Sequence, residues 1–158
     1  MLEDKNMLVF LEAIKTVELL ANLLGRDNSL KPIKVKTFIN LMAGKYSETK
    51  PAVISAVDKA MAAIVKHSYP ANQFADLCIN QIAFTHKNPR VKQFVLDHAI
   101  DQFIRSIPKE QVAQIFKVVK EKLIQIVLKD THATVRDASV YLLITFRTHM
   151  NQADVAQF

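Results

Sequence analysis

Apolar side chains recur along most of the chain at intervals of three and four residues, the spacing of one face of an α-helix. Four stretches show this most clearly, and they begin at Val9, Val53, Val91 and Val135. In the stretch that starts at Val91, the apolar series continues through Val95 and Ala99 to Phe103. The pattern predicts amphipathic helices throughout, and therefore an all-α fold.

Seven helices are predicted from this pattern and from the turn residues between the apolar stretches. Their approximate ranges are 6–24, 30–44, 50–67, 70–85, 89–106, 108–129 and 133–149, and a short remainder covers 151–158. Asn88 is suited to cap a helix and Pro89 to occupy its first turn, whereas Gly44 lies where a helix should end. The turn chemistry therefore agrees with the apolar spacing.

The prolines of the chain indicate a repeat, because successive prolines are 19 residues apart. They are Pro32, Pro51, Pro70, Pro89 and Pro108. Proline fits the first turn of a helix and disrupts its interior, so a helix is expected to restart at each of them. Two such helices make a hairpin of about 38 residues, close to the period of HEAT and armadillo arrays. We therefore expect an α-solenoid of HEAT-like hairpins.

The odd number of helices affects the predicted organisation. Three hairpins are expected: 30–44 with 50–67, 70–85 with 89–106, and 108–129 with 133–149. The helix at 6–24 has the pattern of a second hairpin helix and no partner before it. We therefore expect 1–158 to be a single HEAT-repeat domain that lacks an N-terminal repeat, with 151–158 opening a further hairpin. The broad apolar stripe of helix 6–24 predicts contact with the missing repeat or self-association.

Composition and charge exclude several classes of protein. The chain has 158 residues, is 50% hydrophobic and contains one cysteine, which excludes a disordered segment and a disulfide scaffold. No apolar run approaches the roughly 20 residues of a membrane span, and the charged start does not resemble a signal peptide. These features predict a cytoplasmic protein with no membrane partner.

The sequence offers little support for catalysis or metal binding. The five histidines are His67, His86, His98, His132 and His149, and no two of them have the i, i+4 spacing of a helical metal pair. Cys78 is expected to be a buried thiol on an apolar helix face. We therefore predict a protein that is not an enzyme, with no cofactor, metal or catalytic residue.

The loops within the predicted hairpins share a positive charge. Each of the four loops, near residues 3–6, 47–50, 86–90 and 129–132, contains or adjoins a lysine or arginine. In a stacked array these loops lie along one edge, and aligned cations would attract an acidic protein surface. The alternative is the ordinary abundance of lysine and arginine on protein surfaces.

Three of these loops resemble turns of TOG domains, the HEAT-repeat domains of the microtubule polymerase and CLASP families. Residues 87–92, Lys-Asn-Pro-Arg-Val-Lys, resemble the KNPxVK turn of the fourth TOG repeat. Asp130 followed by Thr-Val-Arg-Asp-Ala at 134–138 resembles the D…xVRDAA turn of the fifth repeat. Glu3-Asp4-Lys5-Asn6 with Val9 resembles the DSNxxV turn of the second repeat.

The resemblance implies binding of the αβ-tubulin heterodimer through the edge on which the four loops lie. It also implies a location at microtubules, with the spindle or the centrosome as candidate sites. The partner-binding residues that it implies are Lys5, Asn6, Lys50, Lys87, Asn88, Arg90, Lys92, His132 and Arg136. Two of them have structural alternatives, because Asn88 can cap its helix and Arg136 can pair with an acid of a neighbouring repeat. TOG domains present a tryptophan from their first repeat, and this chain has none, so the resemblance implies that the fragment alone binds weakly or not at all.

Three other functions remain open. A generic HEAT adaptor would grip a peptide or helix on its concave surface. Nucleic-acid binding is suggested by a net charge of +6, but the basic residues are not interleaved with aromatic ones and carry no RNA-binding signature. A short protein that dimerises through its first helix is the fourth hypothesis.

Overall fold

A computed structural model describes residues 6–24, 32–47, 50–68 and 70–155, and within these ranges the chain forms helices and no strands. The elements are α1 (Met7–Leu24), α2 (Pro32–Gly44) with a 3₁₀ turn at Lys45–Ser47, α3 (Pro51–Ser68), α4 (71–85), α5 (89–106), α6 (Lys109–Lys129), α7 (Ala133–His149) and the short α8 (Gln152–Val155). The prediction of an all-α fold is confirmed. All seven predicted helices are present, with bounds within two residues of the expected ones.

Two of the helices contain wider turns that the apolar spacing does not predict. In α4 the α-helical Ala71–Ala75 continues into a π-helical stretch at Asp76–Ala83, and in α5 the stretch Val95–Ile100 is also π-helical. The Phe84 N–H donates to the Ile79 carbonyl and the Asp101 N–H donates to the Leu96 carbonyl, each five residues back. A wide turn adds a residue to the helix and shifts the later side chains around its axis.

The chain divides into two compact units, Met1–Pro70 and Ala71–Phe158. In the first unit α1 packs along α3, and α2 also packs against α3. On α3 the buried positions follow the predicted stripe and are Val53, Val57, Ala60 and Ile64. On α1 the stripe predicted from Val9 is wrong by one residue, because Val9 is only partly buried and Leu20 is 39% exposed. The buried positions of α1 are Phe10, Ile14, Val17 and Ala21. Side-by-side packing with α3 explains why α1 carries the pattern of a second hairpin helix.

In the second unit two hairpins pack side by side. Helix α4 pairs with α5 and α6 pairs with α7, while α4 also lies beside α6 and α5 beside α7. The result is two layers, each containing equivalent helices of the two hairpins. Aromatic pairs lie in this core, with ring centroids 5.1 Å apart for Phe74 and Phe103 and 5.3 Å apart for Phe116 and Phe146.

A buried carboxylate connects α5 to α7. Asp101 is largely buried, and its Oδ1 accepts a 2.7 Å hydrogen bond from the Thr145 hydroxyl of α7. Its Oδ2 accepts from Arg105 Nε at 2.7 Å, and Arg105 Nη2 reaches the Tyr141 hydroxyl at 3.1 Å. These partners offset the cost of burying a charge, and they fix the C-terminal half of α5 against α7.

Candidate partner-binding site

The loop between α4 and α5, residues 86–88, is a rigid turn with an exposed lysine in the middle. Asn88 is the N-cap of α5, because its backbone is extended and its side-chain oxygen accepts from the Arg90 N–H at 2.9 Å. The Asn88 N–H in turn donates to His86 Nδ1 at 3.0 Å. The predicted capping role of Asn88 is confirmed, and Lys87 lies exposed between these two fixed residues.

The loop between α6 and α7, residues 130–132, is organised by Asp130. Asp130 Oδ1 accepts from the His132 N–H at 3.0 Å and lies 3.4 Å from His132 Nδ1. The Asp130 carbonyl accepts from Arg136 Nη1 at 2.8 Å. Arg136 is therefore bound to its own hairpin loop, and in the part of the chain that the structure describes its partner is this carbonyl and not an acid of a neighbouring hairpin. His132 is exposed, and its Nδ1 lies 3.0 Å from the Thr131 hydroxyl.

One ion pair connects these two loops. Lys92 Nζ, in the first turns of α5, lies 2.7 Å from Asp130 Oδ2, and the side chains are only 15% and 6% exposed. Burial alone would raise the pKa of Asp130, but hydrogen bonds from Lys92 and from the His132 N–H outweigh it and lower that pKa below its usual value. We use "loop edge" for residues 86–92 together with 130–136, which this pair holds side by side.

Arg90 is the second cation that α5 contributes to the loop edge, after Lys92. Its guanidinium lies over the Phe94 ring, 5.4 Å from the centroid, and the side chain is half-buried. Its Nε is buried and has no hydrogen-bond acceptor among the described residues. The ring holds the guanidinium in place by a cation–π contact, so Arg90 is preorganised at the edge.

The remaining predicted site residues belong to the first unit or lie outside the described ranges. Asn6 is exposed and its side-chain oxygen accepts from the Leu8 N–H at 3.0 Å, which caps α1. Lys50 is exposed directly before α3, and its carbonyl accepts from the Val53 N–H at 3.0 Å. Lys5 and most of the loop near residues 3–6 lie outside the described residues.

The structure therefore divides the predicted residues into those with exposed side chains and those whose side chains bind other groups of the protein. Lys50, Lys87 and His132 are exposed, whereas Lys92 and Arg136 are engaged within the molecule. Asp130 is not among the predicted site residues, although it contacts Lys92, His132 and Arg136. An acid at the end of one helix, three residues before the start of the next, is the signal that could have identified Asp130 as a residue that caps the turn.

Other chemistry in the described part of the chain is sparse. It contains no group of three or more His, Cys, Asp or Glu side chains that could hold a metal ion. Cys78 is fully buried, and burial raises the pKa of its thiol strongly. Burial also raises the pKa of Asp97 despite its hydrogen bond from Gln93. None of the described helices combines the length and the apolar character needed to cross a bilayer.

Comparison with protein-family models, with curated proteins and with solved structures gives no match to this chain. Function must therefore be argued from the geometry of the loop edge and from the resemblance of its turn sequences. Both concern the same residues, those at 86–92 and 130–136.

Proposed function

We propose that this chain is a TOG-like binding protein that contacts the acidic surface of the αβ-tubulin heterodimer through the loop edge. The activity is binding without catalysis, and its consequence would be regulation of microtubule dynamics at the cytoskeleton. Lys87, Arg90 and His132 are the proposed contact residues in the second unit, and Lys50 is a further contact residue in the first.

The observation that carries the proposal is the Lys92–Asp130 ion pair at 2.7 Å. It joins the two loops whose sequences resemble consecutive TOG turns, and it neutralises Lys92 and Asp130 against each other. Lys92 occupies Asp130 Oδ2, so this oxygen does not neutralise the other cations of the edge. The edge therefore keeps a positive surface, which is formed by Lys87, Arg90 and the neighbouring exposed Lys129. Asp137 is the exposed acid nearby in sequence.

A rigid cationic edge suits recognition of an acidic protein. The turns are fixed by the Asn88 cap and by the bonds to Asp130, so little conformational entropy is lost when a partner binds. Exposed charges at such an edge mainly raise the association rate and select against basic partners. Their contribution should weaken as salt screens them, with a Debye length of about 10 Å at 0.1 M.

Matched charge reversals test the proposal. The site variant is K87E/K129E, which reverses two exposed lysines of the positive surface at the loop edge, and the control is K59E/K117E, which changes two exposed lysines on α3 and α6 by the same total charge. Co-elution with purified αβ-tubulin on size exclusion, followed by titration, gives the affinity of each variant. We expect the site variant to bind about tenfold more weakly than wild type, a loss of about 1.4 kcal/mol, and the control to bind like wild type.

The same experiment separates this proposal from the adaptor function. Equal losses in both variants would mean that only net charge matters, and unchanged binding by K87E/K129E would overturn the loop edge as the site. An adaptor that binds a peptide or helix through helix surfaces would show no co-elution of wild type with tubulin. If the wild-type chain does not bind tubulin, the proposed function itself is therefore rejected.

A further inference from the structure

The turn between α4 and α5 depends on one nitrogen of an imidazole ring. His86 Nδ1 accepts a 3.0 Å hydrogen bond from the Asn88 N–H, two residues later in the chain, and the ring is partly buried. A backbone N–H can only donate, so Nδ1 carries no proton and the ring proton of the neutral imidazole lies on Nε2. The observed turn therefore requires the neutral form of His86.

The next hairpin makes the same bond with a carboxylate. Positions 44 residues apart correspond in the repeat pattern, so His86 takes the place of Asp130 and Asn88 takes the place of His132. Asp130 Oδ1 accepts from the His132 N–H at 3.0 Å, again two residues later. The Asp130 carboxylate, whose pKa is lowered, stays ionised near neutral pH and remains an acceptor, whereas an imidazole gains a proton between about pH 8 and pH 5.

We propose that the turn at residues 86–88 is a pH-sensitive switch, ordered when His86 is neutral and loosened when His86 is protonated. A proton on Nδ1 places two donors opposite each other, so the imidazole ring turns away and the Asn88 N–H loses its acceptor. Lys87 lies between the two bonded residues, and its position is then less restricted. The cap of α5 is retained, because the Asn88 side chain still accepts from the Arg90 N–H.

The charged groups around the turn do not replace the lost bond. They are Lys87 in the turn, Arg90 and Lys92 on α5, Lys122 of α6, which lies over the Phe84 ring, and Asp130 in the next loop. Asp130 is the acid among them, and it is already bound by Lys92 and by the His132 N–H. His132 behaves differently from His86, since its Nδ1 lies 3.4 Å from Asp130 Oδ1 and a proton there strengthens the contact.

Nuclear magnetic resonance on the full chain tests the proposal between about pH 8 and pH 5. Long-range ¹H–¹⁵N spectra of the His86 ring report which nitrogen carries a proton, and amide exchange reports the protection of the Asn88 N–H relative to an unfolded peptide. At the upper pH we expect the proton on Nε2. As the second ring nitrogen is protonated, we expect the protection of Asn88 to fall about tenfold, the effect of losing one hydrogen bond.

Three variants separate the His86 bond from other effects of pH. H86N places an amide oxygen where Nδ1 lies and does not titrate, so we expect Asn88 to stay protected throughout the pH range. H86L removes the acceptor, so we expect low protection throughout. H132Q is the matched control, because it removes the other imidazole of the loop edge and should keep the wild-type pH response.

Each other result overturns the proposal. Constant protection of Asn88 in wild type, a proton on Nδ1 at the upper pH, or wild-type protection in H86L would show that the bond does not order the turn. A pH response that persists in H86N or disappears in H132Q would assign that response to another group. The wild-type measurements decide the matter even where H86L does not fold. No measurement uses tubulin, so the result is independent of the proposed function.

Discussion

Lys92 and Asp130 are 38 residues apart in the chain, and their side chains form a 2.7 Å ion pair that is largely removed from solvent. The pair connects the start of α5 to the end of α6, and so joins the loops of two successive hairpins. The Asp130 carboxylate also accepts a hydrogen bond from the His132 N–H, and the Asp130 backbone carbonyl accepts one from the Arg136 guanidinium. A single residue thus determines the positions of three predicted contact residues.

Replacement of Asp130 by asparagine should destabilise the fold, because the nearly buried Lys92 ammonium then loses its counter-charge. We expect D130N to lower the free energy of unfolding by about 1.5 to 3 kcal/mol, the range for a hydrogen bond to a charged group. Urea unfolding followed by circular dichroism measures this. D137N is the control, because Asp137 is exposed on the first turns of α7. Equal midpoints for D130N and D137N would contradict the stabilising role of the pair.

The same carboxylate makes stability depend on pH. The pKa of folded Asp130 lies below its ordinary value of about 3.9, so its contribution is fully present above that value and is lost as the pH falls through the folded pKa. We expect the stability difference between wild type and D130N to be constant near neutral pH and to shrink below about pH 4. A difference that grows on acidification would contradict the lowered pKa.

Removal of the Thr145 hydroxyl should weaken the contact between α5 and α7. Valine keeps the shape of threonine, so T145V removes the 2.7 Å bond to the buried Asp101 carboxylate together with a 3.2 Å bond to the Tyr141 carbonyl of the same helix. The expected loss is about 1.5 to 3 kcal/mol in the free energy of unfolding. The exposed Thr148 gives the matched control, since T148V should change stability by no more than about 0.5 kcal/mol. If T145V and T148V lowered the free energy of unfolding by the same amount, the bond between Thr145 and Asp101 would have no specific stabilising effect.

In the first unit, the Tyr46 hydroxyl fixes the turn between α2 and α3. Tyr46 is fully buried, and its hydroxyl donates to Asp58 Oδ1 of α3 at 2.5 Å. Y46F should therefore lower the free energy of unfolding by about 1 to 3 kcal/mol, measured by thermal or urea unfolding. S55A is the control, because it removes an exposed hydroxyl from the same helix, α3. A stability of Y46F equal to that of S55A would contradict the assigned role.

The positions of the helices could be predicted from the sequence because local signals agree with the packing. The 19-residue spacing of the prolines marks helix starts, and Asn88 and Pro89 begin α5 as expected. The wide turns in α4 and α5 could not be predicted, because a π-helical turn displaces an apolar stripe by one residue without interrupting it.

The chemistry of the candidate site was less predictable than its location. The sequence indicates that Lys92 and Arg136 are cations near loops, but it does not show that Asp130 engages both of them. That pairing depends on two hairpins lying side by side, a contact between residues distant in the chain. Local patterns report helix formation and leave such long-range partners undetermined.

The most direct test of the account is a measurement of contact between the loop edge and tubulin. A photoreactive side chain introduced at Lys87 should crosslink the full chain to αβ-tubulin, because Lys87 is exposed at the middle of the edge. The same group at Lys117, exposed on α6, should give little or no adduct. Adducts of equal yield at both positions, or an adduct at Lys117 alone, would contradict the proposed binding edge.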